Sequence, residues 1–167
     1  DRIVFIGTTF DADLANAVVA QLLFLEADDP DKDVIMYINS PGGSAGALTA
    51  IIDTMNYIKS DISTVCFGNA SSAAACLLAM GTPGKRFALK NSRIMLHQVS
   101  ASAQGQITDM EILLKEAKQV NDMMISELAN ITGKTKNKIK KDLDRDYYMS
   151  AEEAKEYGLI DEVLVNR

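Results

Sequence analysis

The 167-residue sequence contains a single histidine, His97, so any general base drawn from an imidazole must be this side chain. His97 closes an apolar run, Ile94-Met95-Leu96, that reads as a β-strand. Upstream, Gly68-Asn69-Ala70-Ser71-Ser72 leads into an apolar stretch from Ala73 to Met80, which Gly81 ends. A serine at such a strand-to-helix entrance faces unpaired backbone N–H groups and the positive end of the helix dipole. A second glycine turn, Asn39-Ser40-Pro41-Gly42-Gly43, opens another helix. Together these residue types can carry out nucleophilic acyl transfer: an imidazole takes the hydroxyl proton, and N–H groups hold the oxyanion that forms. Each feature also has an ordinary structural explanation. Ser72 or Ser71 can cap a helix, the glycine pair can serve a tight turn, and His97 can be a satisfied core or edge residue. The carboxylate that would orient the imidazole is not selected by these patterns, since Asp109, Asp122, Asp142, Asp144, Asp146 and Asp161 all follow His97. The glycine turns match neither a Walker loop nor the three-glycine dinucleotide pattern.

The elements that must position these groups alternate along the chain. Strands are predicted at Arg2–Ile6, Val34–Ile38, Ser63–Phe67, Arg86–Leu89, Arg93–His97 and Glu162–Val165. Helices are predicted at Ala12–Glu26, Ala45–Lys59 and Ser72–Met80, from Thr108 to about Thr132, at Lys136–Leu143 and after Ser150. Gly68-Asn69 reads as a turn. Thr108-Asp109-Met110-Glu111 and Ser150-Ala151-Glu152-Glu153 are capping boxes, with Gly133 and Gly158 as terminators. The alternation predicts an α/β fold with a mostly parallel sheet and right-handed crossovers. Both glycine turns then emerge at the carboxyl ends of neighbouring strands and face one crevice. The helix after Ser72 is apolar on every side and should be deeply buried. The helix after Thr108 is amphipathic but too long for so small a domain to cover, and is expected to pack against another subunit.

Composition narrows the function classes. Hydrophobic residues make up 47% and charged residues 24%, a globular balance that suits one domain over residues 1–167. A net charge of −6, 6% aromatic residues and no tryptophan argue against nucleic-acid binding. One histidine, with Cys66 and Cys76 outside ligand spacing, leaves no conventional zinc set, and no metal is expected. The two cysteines form no disulfide framework, which fits a reducing compartment. No run approaches the about 18–20 apolar residues of a membrane span, and Asp1-Arg2-Ile3-Val4 is not a signal peptide. A soluble, intracellular protein with a processed or trimmed N-terminus is expected. Lys134, Lys136, Lys138, Lys140 and Lys141 read as a solvated helix face, Met110, Met123 and Met124 as packing residues, and Cys76 as inert within its helix.

Four separated motifs carry a resemblance. Asn39-Ser40-Pro41-Gly42-Gly43, Gly68-Asn69-Ala70-Ser71-Ser72-Ala73, Arg93-Ile94-Met95-Leu96-His97-Gln98, and Asp144-Arg145-Asp146 with Ser150-Ala151 and Tyr157-Gly158-Leu159-Ile160-Asp161 stand in register over essentially the whole chain. In these the sequence resembles the ClpP family, the proteolytic subunits of ATP-dependent Clp proteases. The resemblance implies the α/β fold shared with the crotonase superfamily and a Ser-His-Asp triad of Ser72, His97 and Asp146. It implies an oxyanion hole from the N–H groups of Gly43 and Ala73, and ring-to-ring contacts through Asp144 and Arg145. It further implies two heptameric rings stacked as a tetradecamer, with the long helix at the ring-to-ring contact. Its substrates would be unfolded proteins, cut to short peptides, delivered by a separate AAA+ unfoldase that uses the ATP. No cofactor is expected on this chain. A paralogous subunit could share the ring, and the location would be the bacterial cytoplasm or an organelle matrix or stroma.

Three departures from the family pattern bear on this. Ser71 stands where Ala is usual, Ala73-Ala74 where Met-Gly is common, and Val99 where Pro is usual after His97-Gln98. The last restores a backbone N–H beside the expected substrate groove. The family's N-terminal segment lining the axial pore has no counterpart in the sequence. Competing expectations are an acyl-CoA hydratase or hydrolase of the same fold, a non-catalytic subunit of a mixed ring, and a Ser-Lys membrane-associated peptidase.

Overall fold

A computed structural model describes residues 1–166. Four strands, β1 (Ile3–Ile6), β2 (Val34–Ser40), β3 (Ile62–Ser71) and β4 (Arg86–Leu89), lie parallel in that order, and β7 (Glu162–Leu164) extends the sheet beyond β4. The sheet branches at β3. The N-terminal half of β3 pairs with β4 through Thr64–Cys66, while its C-terminal end pairs with β5 (Arg93–Leu96) through Asn69–Ser71. The last strand, β6 (Tyr147–Ser150), runs antiparallel along β5.

The branch arises where a turn was expected. Gly68-Asn69 does not reverse the chain; β3 continues through it as one ten-residue strand. Gly68 takes a φ of 74°, as the turn reading required, but the extra residues are absorbed as a bulge between the Ile38↔Cys66 and Ser40↔Ala70 pairs. Asn39 Oδ1 accepts from the Asn69 N–H at 3.2 Å and holds the bulge against β2. A bulge bends its strand. Here the bend carries the end of β3 from the β4 side to β5.

The helices follow from local rules. In α1 (Ala12–Asp28), Asp11 accepts from the Leu14 N–H at 2.8 Å, and Ala15, Val18 and Leu22 form the buried stripe. Ser44 caps α2 (Ala45–Tyr57). All seven residues of α3 (Ala73–Ala79) are buried, as an all-apolar helix requires. The long helix α4 (Ile107–Thr132) buries only Met124, Ile125, Leu128 and Ala129, whereas Ile107, Ile112, Leu113 and Leu114 stand exposed in its first half. Its expected capping box is absent. The helix begins before Thr108, with Gln106 at the cap position and no side-chain cap, because the Gln106 carbonyl already accepts from the Met110 N–H. Gly133 ends α4 in the left-handed conformation. Thr135 caps α5 (Lys136–Asp142), and Ser150 and Glu153 form the expected capping box of α6 (Ala151–Tyr157). No helix of the described residues is long and apolar enough to cross a membrane.

Candidate active site

Ser72 occupies the single residue between β3 and α3. Its backbone has φ 57° and ψ −123°, and it is the only non-glycine residue with positive φ among the described residues. This conformation costs a non-glycine residue roughly 1–3 kcal/mol. It is imposed from both sides: the Ser72 N–H donates to the Met95 carbonyl at 2.8 Å, and the Ser72 carbonyl accepts the first helical bond from Cys76 at 3.1 Å. The helix-cap reading of Ser72 fails, since its side chain makes no capping bond. Its Oγ lies 2.8 Å from His97 Nε2 instead. Ser71 points elsewhere and donates to Asn69 Oδ1 at 2.8 Å, so of the two adjacent hydroxyls Ser72 alone meets the imidazole.

Strand register brings the other residues to this point. The parallel β3–β5 ladder pairs Ser71 with Met95, and the antiparallel β5–β6 ladder ends at Leu96↔Tyr147. One further step sets His97 opposite Asp146. The Nδ1–Oδ1 separation there is 3.7 Å, longer than a hydrogen bond, with the Asp146 side chain 59% exposed. Asp146 is nevertheless the only carboxylate of the described residues within 4.0 Å of the ring. The other candidates are engaged or placed elsewhere. Asp142 receives Lys138 Nζ and the Tyr157 hydroxyl, each at 2.7 Å, and Asp161 is held by Arg86 at 2.7 Å. Asp109 and Asp122 lie on α4, and Asp144 sits 3.9 Å from Arg145 on the surface.

The glycine loop lies against the serine elbow. Phe10 clamps it, donating its N–H to the Gly42 carbonyl and accepting from the Ser44 N–H, both at 2.9 Å. Gly42 has φ 86°, and a Cβ there would stand 2.5 Å from the Ser71 carbonyl oxygen and 2.9 Å from the Ala73 nitrogen. Only glycine permits this approach. Among the described residues no hydrogen bond uses the N–H of Gly43 or of Ala73, which leaves two donors at the rim of one cleft. That cleft encloses about 190 Å³ and holds Gly43, Ser72, Ala73 and His97, above an apolar floor that includes Leu48, Met124 and Leu128. Cys76 also lines it, but burial pushes its thiol up to about 12, so it stays protonated and non-nucleophilic. A larger cleft of about 470 Å³ between α2 and α4 contains neither Ser72 nor His97.

Two features of the site escaped the sequence reading. Strand β6, which delivers Asp146, is four residues long, and its last residue doubles as the cap of α6; the Tyr147-Tyr148 pair was its only strand signal. The bond from the Val99 N–H to Asn121 Oδ1, at 2.9 Å, joins residues with no local pattern between them.

Comparison with known proteins identifies the family of the chain. The model of the Clp protease family matches residues 1–167. The chain is 57% identical over its full length to "ATP-dependent Clp protease proteolytic subunit 3" of Frankia casuarinae, covering 78% of that protein. It is 58% identical over its full length to "ATP-dependent Clp protease proteolytic subunit 2" of the same organism, covering 77%. A whole-length family match and identities of this size place the chain in the Clp protease family, a family of peptidases.

Proposed function

We propose that this chain is the proteolytic subunit of an ATP-dependent Clp protease and works as a serine endopeptidase. The observation that carries the reading is the 2.8 Å approach of Ser72 Oγ to His97 Nε2 at a strained elbow flanked by two unused N–H donors. With the proton on Nδ1, His97 accepts the Ser72 proton at Nε2 as the oxygen attacks a peptide carbonyl. The carbonyl oxygen becomes an oxyanion and is held by the N–H groups of Gly43 and Ala73, each worth roughly 3 kcal/mol. Protonated His97 then gives its proton to the leaving amine, and water repeats the sequence to hydrolyse the acyl-enzyme, freeing the acyl fragment as a carboxylic acid and restoring the Ser72 hydroxyl. Asp146 stabilises the imidazolium and fixes its tautomer once the 3.7 Å gap closes by about 1 Å, a tightening usual on substrate binding.

The proteolytic chamber is formed by self-association into heptameric rings stacked as a tetradecamer. The exposed apolar residues of α4 support this, as a surface that needs cover. Asp144 and Arg145, both exposed and next to Asp146, join the ring-to-ring contact. Unfolded substrate enters from an AAA+ unfoldase, which consumes the ATP, and this chain needs no cofactor. Treatment with a fluorophosphonate probe, followed by peptide mapping, is expected to modify Ser72. Ser72→Ala and His97→Ala should abolish labelling and lower hydrolysis of a fluorogenic peptide by at least about 10³-fold. Turnover of an enoyl-CoA without labelling would transfer the chain to the acyl-CoA enzymes of the same fold. Undiminished hydrolysis by Ser72→Ala would remove the serine from the mechanism.

A further inference from the structure

His97 lies just beyond the ends of two ladders, two residues past one and one past the other. The parallel pairing of β5 ends at Met95 and the antiparallel pairing at Leu96, so no strand partner holds the His97 backbone. The ring is fixed at Nε2 by Ser72, but at Nδ1 it has only the 3.7 Å approach of an exposed carboxylate. Beyond Val99 the chain has no regular structure until α4 begins. What positions the imidazole is therefore the anchoring of Gln98 and Val99. Three bonds do this. The Gln98 N–H donates to the Leu143 carbonyl at 2.8 Å, Gln98 Nε2 donates to the Asp144 carbonyl at 3.0 Å, and the Val99 N–H donates to Asn121 Oδ1 at 2.9 Å. The first two hold the segment to the connection between α5 and β6. The third alone ties it to α4, and it is the last bond before the irregular stretch. Asn121 sits about one turn before Met124 and about two before Leu128, the α4 side chains that floor the cleft, so its side chain rides on the anchored part of the helix.

We propose that Asn121 is a positioning residue for the peptidase reaction, acting through the Val99 N–H to hold His97 at hydrogen-bond distance from Ser72. This rests on the serine-peptidase reading above. Asn121 lines the same cleft but, among the described residues, makes no hydrogen bond to the hydroxyl or the imidazole. Removing its oxygen leaves the Val99 donor unpaired and lets the segment after His97 drift, and small misplacements of a base are costly to rate. Because α4 also carries the exposed apolar face, a displacement of that helix would be transmitted to His97 by the same bond.

The test is a double-substitution cycle read with a small fluorophosphonate, which reports the Ser72–His97 pair without occupying the length of the groove. Asn121→Ala should slow labelling of Ser72 about five- to tenfold, the scale of one neutral hydrogen bond, and should lower kcat for a short peptide in parallel. Val99→Pro removes the donor instead of the acceptor. Adding Asn121→Ala to Val99→Pro should then slow labelling no further. Equal losses in both backgrounds, or a change confined to peptide KM with labelling intact, would overturn the role. Light scattering and thermal unfolding check that each variant is folded and assembled. If Asn121→Ala does not fold, Val99→Pro alone must reproduce the slower labelling, and an unchanged rate there overturns the role as well. Absence of labelling in the unaltered protein would instead count against the serine-peptidase reading.

Discussion

Replacing Ser72 by alanine and, separately, by glycine isolates the strain at the elbow. Both variants lose the hydroxyl and with it the 2.8 Å contact to His97, so their difference reports only the Cβ at φ 57° and ψ −123°. Alanine keeps the backbone penalty of roughly 1–3 kcal/mol, and glycine relieves it. Against this, glycine gives the unfolded chain more freedom, which offsets about 0.5–1 kcal/mol. The glycine variant should therefore be the more stable by about 0.5–2 kcal/mol. For a chain of this length each kcal/mol moves the melting temperature by about 2–4 °C, so the expected gap is about 1–8 °C. Thermal unfolding must compare the two at equal protomer concentration, because self-association shifts melting. An alanine variant melting at or above the glycine variant would refute the claim that the fold stores strain at this residue.

Two further outcomes follow from the same geometry. Gly42→Ala places a Cβ 2.5 Å from the Ser71 carbonyl oxygen at φ 86°; peptide kcat should fall by about 10²–10³-fold, because the shift moves the neighbouring N–H groups proposed to hold the oxyanion. Asp161 should govern acid stability. Its carboxyl accepts from the Arg86 side chain and from the N–H groups of Gly84 and Arg86, and the Arg86 guanidinium foremost holds it below the usual carboxylate range. A depressed carboxylate stabilises the fold above its unfolded value of about 3.9, and that stabilisation is lost as pH falls through the lower folded value. The urea midpoint of Asp161→Asn should lie below that of the unaltered protein at about pH 6, and the gap should narrow below about pH 4. A constant gap across that range would separate Asp161 from the acid response.

Much of the scaffold was legible because its signals are local. The apolar run from Ala73 to Ala79, the Ser150 capping box and the glycine stops at Gly133 and Gly158 each act within a turn or two of chain, and each appears as expected. Signals failed where tertiary pairing overrode them. Gly68-Asn69 has turn chemistry, yet β2 and β5 together keep the chain extended through it. Thr108 has cap chemistry, but it sits on an exposed helix end that starts earlier.

The proposed site divides along the same line. Composition alone restricted the base to His97, and local pattern put Ser72 at a strand-to-helix entrance near a glycine turn. The resemblance already implied Ser72 and Asp146; the geometry that sets Ser72 rather than Ser71 against the imidazole, brings Asp146 near it and joins Asn121 to Val99 belongs to the tertiary structure. Each depends on which residues two ladders and one helix bring within a few ångströms, across separations from 22 to 49 residues along the chain for Val99–Asn121 and His97–Asp146. Periodicity reports the face a residue presents, whereas register and backbone strain are set by the whole sheet, where a slip of one residue would turn every side chain of β5 to the opposite face.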